Sequence, residues 1–202
     1  NNIQTSASLF LVKNIFSILT TVFTLIAANL YPLYPTQLSL LGAFTIGTPA
    51  FVLALQPNKE LIRGDFLVNV ILKALPAGLA DFIMLAAISI HGNILGMSNE
   101  QISTVAIVIL LFIGLAALVR ICRPFDGIRI LLCLAMAAGI VICVLNFKGI
   151  FAITTVNMIM LRMIIMYALI AGVLFCIMCK SVGGWIDYME RHSKRFRMLL
   201  KG

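Results

Sequence analysis

The sequence predicts an all-α, polytopic membrane protein whose six transmembrane helices form a bundle. Of its 202 residues, 62% are hydrophobic and only 11% are charged. A soluble domain of this size cannot carry so much apolar surface, because its exterior must remain wet. A bilayer core about 30 Å thick takes roughly 20 apolar residues per helix. Stretches near this length lie at about 6–30, 38–55, 66–90, 102–119, 128–145 and 157–179.

The distribution of basic residues predicts that both termini are cytoplasmic. If the N-terminus is inside, the outside loops carry only Lys148. This asymmetry is a positive-inside pattern, so topology accounts for the formal net charge of +8 and we expect no nucleic-acid partner. The inside segments carry Lys59, Arg63, Arg120, Arg123, Arg129, Lys180, Arg191, Lys194, Arg195, Arg197 and Lys201.

The first span contains a polar stripe. Lys13, Asn14 and Ser17 lie three or four residues apart, so a helix brings them close together on one side. A lysine inside an apolar span is costly, and an ion or substrate path is the usual reason for it. The alternative is that Lys13 extends to the interface while the hydroxyls bond their own helix. The stripe continues with Thr20, Thr21 and Thr24.

The second span is interrupted by the segment 45–49. Because Pro49 has no N–H, the carbonyl of Thr45 loses its helical partner, and Gly47 allows the backbone to bend. Broken helices at the bilayer midplane form ion sites in many transporters. We therefore expect the Thr45 carbonyl and hydroxyl to serve as ion ligands, with a simple proline kink as the alternative.

The third span carries an acid near its middle. Asp81 follows Lys73 by about two turns, and Pro76 lies between them. A carboxylate at this depth must be neutral, paired or in a wet cavity. Structural pairing and proton handling are both compatible with the sequence.

The C-terminal segment predicts a second unit. We expect residues 1–182 to form a six-helix ion-transport domain and residues 183–202 to form a basic, amphipathic cytoplasmic tail beginning at Gly183-Gly184. Apolar residues recur at near-helical spacing from Trp185 onward, which is typical of a helix on an anionic membrane surface. Binding of a regulatory partner is the alternative. His91, in the predicted outside loop 91–101, and His192 need no catalytic role.

Several segments resemble the P-type cation-transporting ATPases, and most nearly a bacterial branch of them. The segment 9–17 resembles the start of the fifth membrane helix of these pumps, and the segments 35–38 and 45–50 are similar to their sixth helix. The segment 55–60 resembles the following cytoplasmic loop. The six spans would then be the last six of ten, and the chain is expected to be a piece of a longer protein.

The resemblance also implies ion ligands. Asn14, Ser17 and Thr45 match an asparagine, a glutamate and a threonine ligand, and are the implied metal ligands. Gly42 and Ile46 match an asparagine and an aspartate ligand. Ca²⁺ prefers carboxylates, which are missing at Ser17 and Ile46. The Lys13-Asn14 pair resembles that of gastric proton/potassium pumps and implies a different ion or stoichiometry. The predicted ion-binding or pathway residues are Lys13, Asn14, Ser17, Gly42, Thr45, Ile46, Pro49 and Asp81.

The sequence contains no ATPase catalytic residues: the Asp-Lys-Thr-Gly-Thr phosphorylation motif, the Thr-Gly-Glu-Ser loop and a P-loop are all absent from it. The resemblance implies that ATP and Mg²⁺ bind to cytoplasmic ATPase domains outside this chain. Its implied partners are those domains, the N-terminal membrane helices of the same pump, the transported cation and the lipid of the plasma membrane. A free-standing secondary transporter or channel subunit, and an accessory membrane protein, are the alternatives.

Overall fold

The protein folds into a bundle of helices. The computed structural model describes residues 2–27, 32–55, 66–123 and 125–192, and within these ranges no strand occurs. The prediction of an all-helical fold is confirmed. The helices are α1 (Asn2–Ala27), α2 (Pro35–Gly42), a π-helical turn (Ala43–Gly47), α3 (Thr48–Leu55), α4 (Phe66–Ile94), α5 (Asn99–Ile121), α6 (Gly127–Asn146) and α7 (Met158–His192).

Within the described ranges, six helical units are long and apolar enough to cross a membrane, which confirms the predicted number of spans. The segment from Pro35 to Leu55 counts as one unit, because α2, the π turn and α3 follow one another without a gap. Every carbonyl and N–H in a bilayer core needs a partner inside the protein, and helices satisfy this requirement within a single segment.

The second span begins earlier than the sequence predicts. Gln37, placed by the sequence in an outer loop, lies in the first turn of α2, which starts at Pro35. Proline suits this position because the first N–H groups of a helix have no helical partner. The Gln37 side chain also accepts a hydrogen bond from the Tyr34 N–H at 3.2 Å, which fixes the start of the helix.

The predicted outer loop 91–101 is also much shorter than expected. Helix α4 continues to Ile94, so His91 lies in its last turn and not in a loop. Gly96 has a positive φ of 66°, a backbone conformation that ends helices and favours glycine. Ser98 then caps α5 by accepting a hydrogen bond from the Gln101 N–H.

The last helix runs through the position where the sequence predicts a boundary. Helix α7 includes Gly183 and Gly184 and ends at His192. Its apolar, span-forming part ends at Trp185. The division into a domain and a tail stays a prediction, since residues 193–202, together with the predicted cytoplasmic loop 56–65, lie outside the described residues.

Helix α5 forms the centre of the bundle. Ile107, Leu110 and Ile113 are fully buried, and the helix packs against α4, α6, α7 and the α2–π–α3 unit. Helix α1 lies along α4, where Gly78 lets the two backbones approach: a Cβ on Gly78 would stand 2.8 Å from Ile15 Cγ2. Small residues at such contacts are typical of helices packed in a membrane. This packing fixes the rotation of α1 and hence the side chains it presents to the site.

Candidate cation site

A cavity of about 450 Å³ lies between α1, the α2–π–α3 unit, α4 and α5. Most of its wall is apolar. The structure brings together at this cavity the predicted site residues Lys13, Ser17, Gly42, Thr45, Ile46 and Asp81. The polar side chains that line it are those of Lys13, Ser17, Ser39, Thr45 and Asp81.

Two predicted site residues lie elsewhere. Asn14 is exposed on α1 and does not line the cavity. Pro49 is buried in α3, beyond the π turn, and does not reach the cavity either. Their roles in ion binding stay predictions, and in the structure Pro49 acts on the backbone.

Helix α1 presents Lys13 and Ser17 at the edge of its buried face. Leu9, Val12 and Phe16 are buried there, and Lys13 and Ser17 follow the same face one turn apart. The Lys13 Nζ atom lies 4.0 Å from the position that a Cβ on Gly42 would occupy, so the ammonium reaches across from α1 to the second span. The absence of a side chain at Gly42 leaves room for it.

The threonines of the predicted stripe do not act together. Thr21 Oγ1 donates to the Ser17 carbonyl at 2.8 Å, and Thr24 Oγ1 donates to the Thr21 carbonyl at 2.9 Å. Hydroxyls in apolar helices commonly bond their own backbone in this way. Thr20 differs, because its hydroxyl is buried without a hydrogen-bond partner in the described part of the chain.

The sequence predicts that the second span is broken at the site. In the structure the helix continues through the site and is only widened there, by the π turn. The Thr48 N–H bonds to the Ala43 carbonyl, five residues earlier, which is the pattern of a π helix. Pro49 has no N–H to give to Thr45 or Phe44, and one extra residue in the turn accommodates this loss without unwinding the helix. π turns of this kind are frequent at functional sites.

Thr45 lies inside this turn and faces the cavity. Its hydroxyl donates to the Leu41 carbonyl at 2.7 Å. Since the only hydroxyl proton is used there, the oxygen offers the cavity its lone pairs. Ser39 is arranged in the same way, with its hydroxyl donating to the Pro35 carbonyl at 3.0 Å. Both side chains therefore present acceptors to the cavity, as cation ligands do.

Asp81 supplies the carboxyl group of the cavity. Its side chain is only 3% exposed, and its Oδ1 atom has no hydrogen-bond partner among the residues that the structure describes. Within the described ranges no basic group lies within 4.0 Å of it. Lys73, the cation that the sequence places nearest along α4, is exposed and does not line the cavity. Of the options that the sequence left open, direct structural pairing of Asp81 is not observed among the described residues.

Sequence reasoning missed the wall that α5 forms. Gly114 and Ala117 line the cavity opposite α1, and their small size makes room for it. The only signal was a run of small residues, Gly114-Leu115-Ala116-Ala117, inside an otherwise bulky apolar helix. Such a run is typical of close helix packing and does not by itself indicate a site.

The donor set of the cavity suits a hard cation held by oxygen atoms. Asp81 and Lys13 are the only charged side chains among those lining it, so their formal charges cancel. In the described part of the chain no group of three or more His, Cys, Asp or Glu residues is placed to hold a metal ion. Hydroxyl, carbonyl and carboxylate oxygens suit alkali and alkaline-earth cations better than thiophilic metals.

The fold and the cavity together define a polytopic helical membrane domain with an oxygen-bearing internal site. No known family profile matches the chain, and no solved structure matches it. It is similar to the Probable cation-transporting ATPase exp7 of Streptococcus pneumoniae, at 32% identity over 147 residues that make up 69% of this chain and 19% of that protein. It is also similar to the Calcium-transporting ATPase CtpE of two mycobacteria.

The CtpE protein of Mycobacterium bovis is 34% identical over 155 residues, which cover 70% of this chain and 19% of that protein. That of Mycolicibacterium smegmatis is 30% identical over 173 residues, covering 78% of this chain and 22% of the relative. The chain thus spans about a fifth of the length of the curated relatives it matches. It is homologous to one membrane segment of the P-type cation-transporting ATPases.

Proposed function

We propose that the chain is the membrane transport domain of a bacterial P-type cation pump, and that the cavity is part of its cation-binding site and pathway. The observation that carries this proposal is the buried Asp81 carboxyl, whose Oδ1 atom has no hydrogen-bond partner in the described part of the chain, in a cavity that Thr45 and Ser17 also line. A buried charge without a partner is strongly destabilising in a folded protein. Such groups inside a membrane usually mark an ion path.

ATP hydrolysis belongs, in this proposal, to cytoplasmic domains outside the chain. The proposal places ATP and Mg²⁺ in those domains. The sequence of this chain contains no phosphate-binding or phosphorylation motif that would fit them. Phosphorylation moves α1 and switches the access of the cavity between the two sides of the plasma membrane. The loop 56–65, which lies outside the described residues, couples the spans to those domains.

The exposed polar face of α1 is suited to packing against further membrane helices. Lys13 and Asn14 are exposed on this helix, and a bare amide facing lipid would be costly. We propose that the N-terminal membrane helices of the same pump cover this face, so that Asn14 joins the ion path from the side opposite Asp81. The transported cation, lipid and these missing segments are then the partners of the chain.

The cavity residues give a direct test in the full-length polypeptide encoded by the natural gene. Ser17→Ala and Thr45→Val each remove one candidate oxygen, and Lys13→Ala and Asn14→Ala each remove one further polar group that the proposal places on the ion path. We expect each variant to change the cation concentration that half-activates ATP hydrolysis, measured over a panel of Ca²⁺, Mg²⁺, K⁺, Na⁺ and H⁺.

Thr24→Val is the matched control. Its hydroxyl also lies on α1 but bonds its own helix and does not line the cavity. It should leave the cation dependence unchanged. If the three cavity variants, at Lys13, Ser17 and Thr45, behave like this control, the cavity is not the cation site, and if Asn14→Ala does so, Asn14 is not on the ion path.

The gene itself separates the pump from a free-standing secondary transporter or channel subunit. A reading frame that continues upstream of Asn1 through an Asp-Lys-Thr-Gly-Thr motif supports the pump. A start codon immediately before Asn1 would contradict it, and would favour a transporter that uses the same cavity without ATP.

A further inference from the structure

Resting on the proposed function, we infer that α4 supplies the carboxylate of the cation site. Asp81 holds the transported cation in place of the acids that are absent at Ser17 and Ile46, and the Lys13 ammonium competes with the cation for it. This assigns Asp81 a role as a direct ligand. It also makes Lys13 a tethered competitor whose effect depends on Asp81.

The first step of the argument is that Asp81 lacks a donor. A buried carboxyl costs several kcal/mol unless hydrogen bonds or a cation compensate for it, and its Oδ1 atom has no partner in the described part of the chain. Of the three hydroxyls that line the cavity, those of Ser17, Ser39 and Thr45, two cannot serve as donors to Asp81. Thr45 and Ser39 give their protons to Leu41 and Pro35 of their own helix.

The second step is that these hydroxyls leave the cavity rich in acceptors. Thr45 and Ser39 offer lone pairs to the same space that Asp81 lines. A carboxylate that shares a cavity with two hydroxyl oxygens whose protons are already used suits a positive ion. Among the described residues that line the cavity, Asp81 is the one acid. It is therefore the one described source of negative charge for a bound cation.

The third step concerns Lys13. Among the described residues it is the one cationic side chain that lines the cavity, yet it makes no ion pair with Asp81 within 4.0 Å. Its Nζ atom instead lies beside Gly42. Lys13 and Asp81 line the same cavity, and a lysine has a flexible four-carbon stem. In this inference the ammonium moves from Gly42 to the carboxylate when no cation is bound. The observed position leaves Asp81 free for a cation, and the alternative position neutralises the empty site.

Other charged groups do not take part in this exchange. On α4, Lys73 is exposed and does not line the cavity. On α5, Arg120 lies in the last turn, beyond Gly114 and Ala117, and does not line it either. The α2–π–α3 unit contributes no charged side chain to the described wall. Among the charged groups that the structure describes, the competition is therefore confined to Lys13 and Asp81.

The test measures equilibrium binding of radiolabelled Ca²⁺ and Rb⁺ to the full-length polypeptide in lipid nanodiscs. Asp81→Asn should weaken binding of the transported cation at least about tenfold, the scale of a lost charged hydrogen-bonding group. Lys13→Met should tighten it by about tenfold when Asp81 is present and should have little effect when Asp81 is replaced by Asn. Lys73→Met, a matched lysine on α4, should change nothing.

Unchanged binding in Asp81→Asn would overturn the inference, and so would an equal effect of Lys13→Met in both backgrounds. A protein in which Thr45→Val weakens binding but Asp81→Asn does not would keep the proposed function and refute this assignment. If neither label binds and no cation of the panel Ca²⁺, Mg²⁺, K⁺, Na⁺ and H⁺ activates ATP hydrolysis, both the assignment and the proposed function are refuted.

A second measurement avoids the risk that Asp81→Asn does not fold. A hydrophobic carbodiimide modifies buried carboxyl groups, and mass spectrometry locates the adduct on the unsubstituted protein. We expect saturating cation to slow modification of Asp81 several-fold. Equal modification with and without cation would show that the cation does not occupy Asp81.

Discussion

Thr45 lies directly against Gly114. A Cβ atom on Gly114 would stand 2.7 Å from Thr45 Cγ2 and 2.9 Å from its Cβ, closer than such atoms pack. The π turn can therefore approach α5 only because Gly114 has no side chain. Since Thr45 also faces the cavity, this contact holds a candidate ligand in place.

Replacing Gly114 tests that relationship. In Gly114→Ala the added methyl group must displace Thr45 and the backbone of the π turn, since the clash involves Cβ and not a flexible tip. Overpacking of this kind typically costs about 1–3 kcal/mol. We expect a lower thermal unfolding temperature in detergent and weaker cation binding.

The matched control is Gly172→Ala on α7, where no described atom outside the adjoining backbone of the same helix lies within 4 Å of the added Cβ. Alanine is favoured over glycine in a helix by roughly 0.5–1 kcal/mol, so this variant should be as stable as the parent or more stable. Adding Thr45→Ser to Gly114→Ala removes Cγ2 and should restore part of the lost stability. Equal unfolding temperatures for the two glycine variants would show that the contact does not matter.

The sequence predicted the number and class of the helices because hydropathy and length depend on the chain alone. Six apolar stretches require six spans, whatever their arrangement. Helix ends were harder to predict. The extension of α4 past His91 depends on where Gly96 adopts its positive φ, and the pattern of apolar residues does not report that conformation.

The site was predictable only in part, because helix rotation is a tertiary property. Lys13 and Asn14 are neighbours in sequence, yet only Lys13 lines the cavity. What separates them is the packing of Ile15 against Gly78, which sets the rotation of α1. Pro49 likewise predicted a disturbed helix, but the π turn additionally needs the space that Gly114 leaves. Both contacts join residues that are far apart in the sequence, so the local pattern does not predict them.

Gln37, in the first turn of α2, is expected to be important for the stability of the bundle. Its side chain is fully buried, and Nε2 donates to the Ala152 carbonyl at 3.0 Å and to Ser103 Oγ at 3.3 Å. It thereby joins α2 to α5 and to the segment before α7. Gln37→Leu leaves buried polar groups unpaired, at a cost of about 1–3 kcal/mol. We expect thermal unfolding in detergent to begin several degrees lower.

Ser39→Ala, two residues further along α2, is the control for this variant. Its exposed hydroxyl bonds only the Pro35 carbonyl of the same helix, so its loss should change the unfolding temperature little. Gln37→Glu is a second comparison. It keeps the shape of the side chain but replaces the donor by an acceptor that faces the Ala152 carbonyl, so it should also lower the unfolding temperature. If Gln37→Leu is as stable as Ser39→Ala, the bridge contributes nothing.

Cys122 is expected to be unreactive in the folded protein. It follows the last residue of α5 and is fully buried. Burial and the neighbouring Cys133 raise the pKa of the Cys122 thiol from 9.0 to about 12, and the thiolate is the form that reacts with maleimides. The folded state thus favours the neutral thiol over the thiolate. The contribution of Cys122 to the free energy of unfolding is therefore complete below about pH 9 and is lost as the pH rises towards 12.

A variant that keeps Cys122 as its single cysteine should resist a maleimide at pH 8 in mild detergent and react readily after unfolding in dodecyl sulfate. Equal labelling rates in the two conditions would contradict the burial that the structure assigns to this thiol.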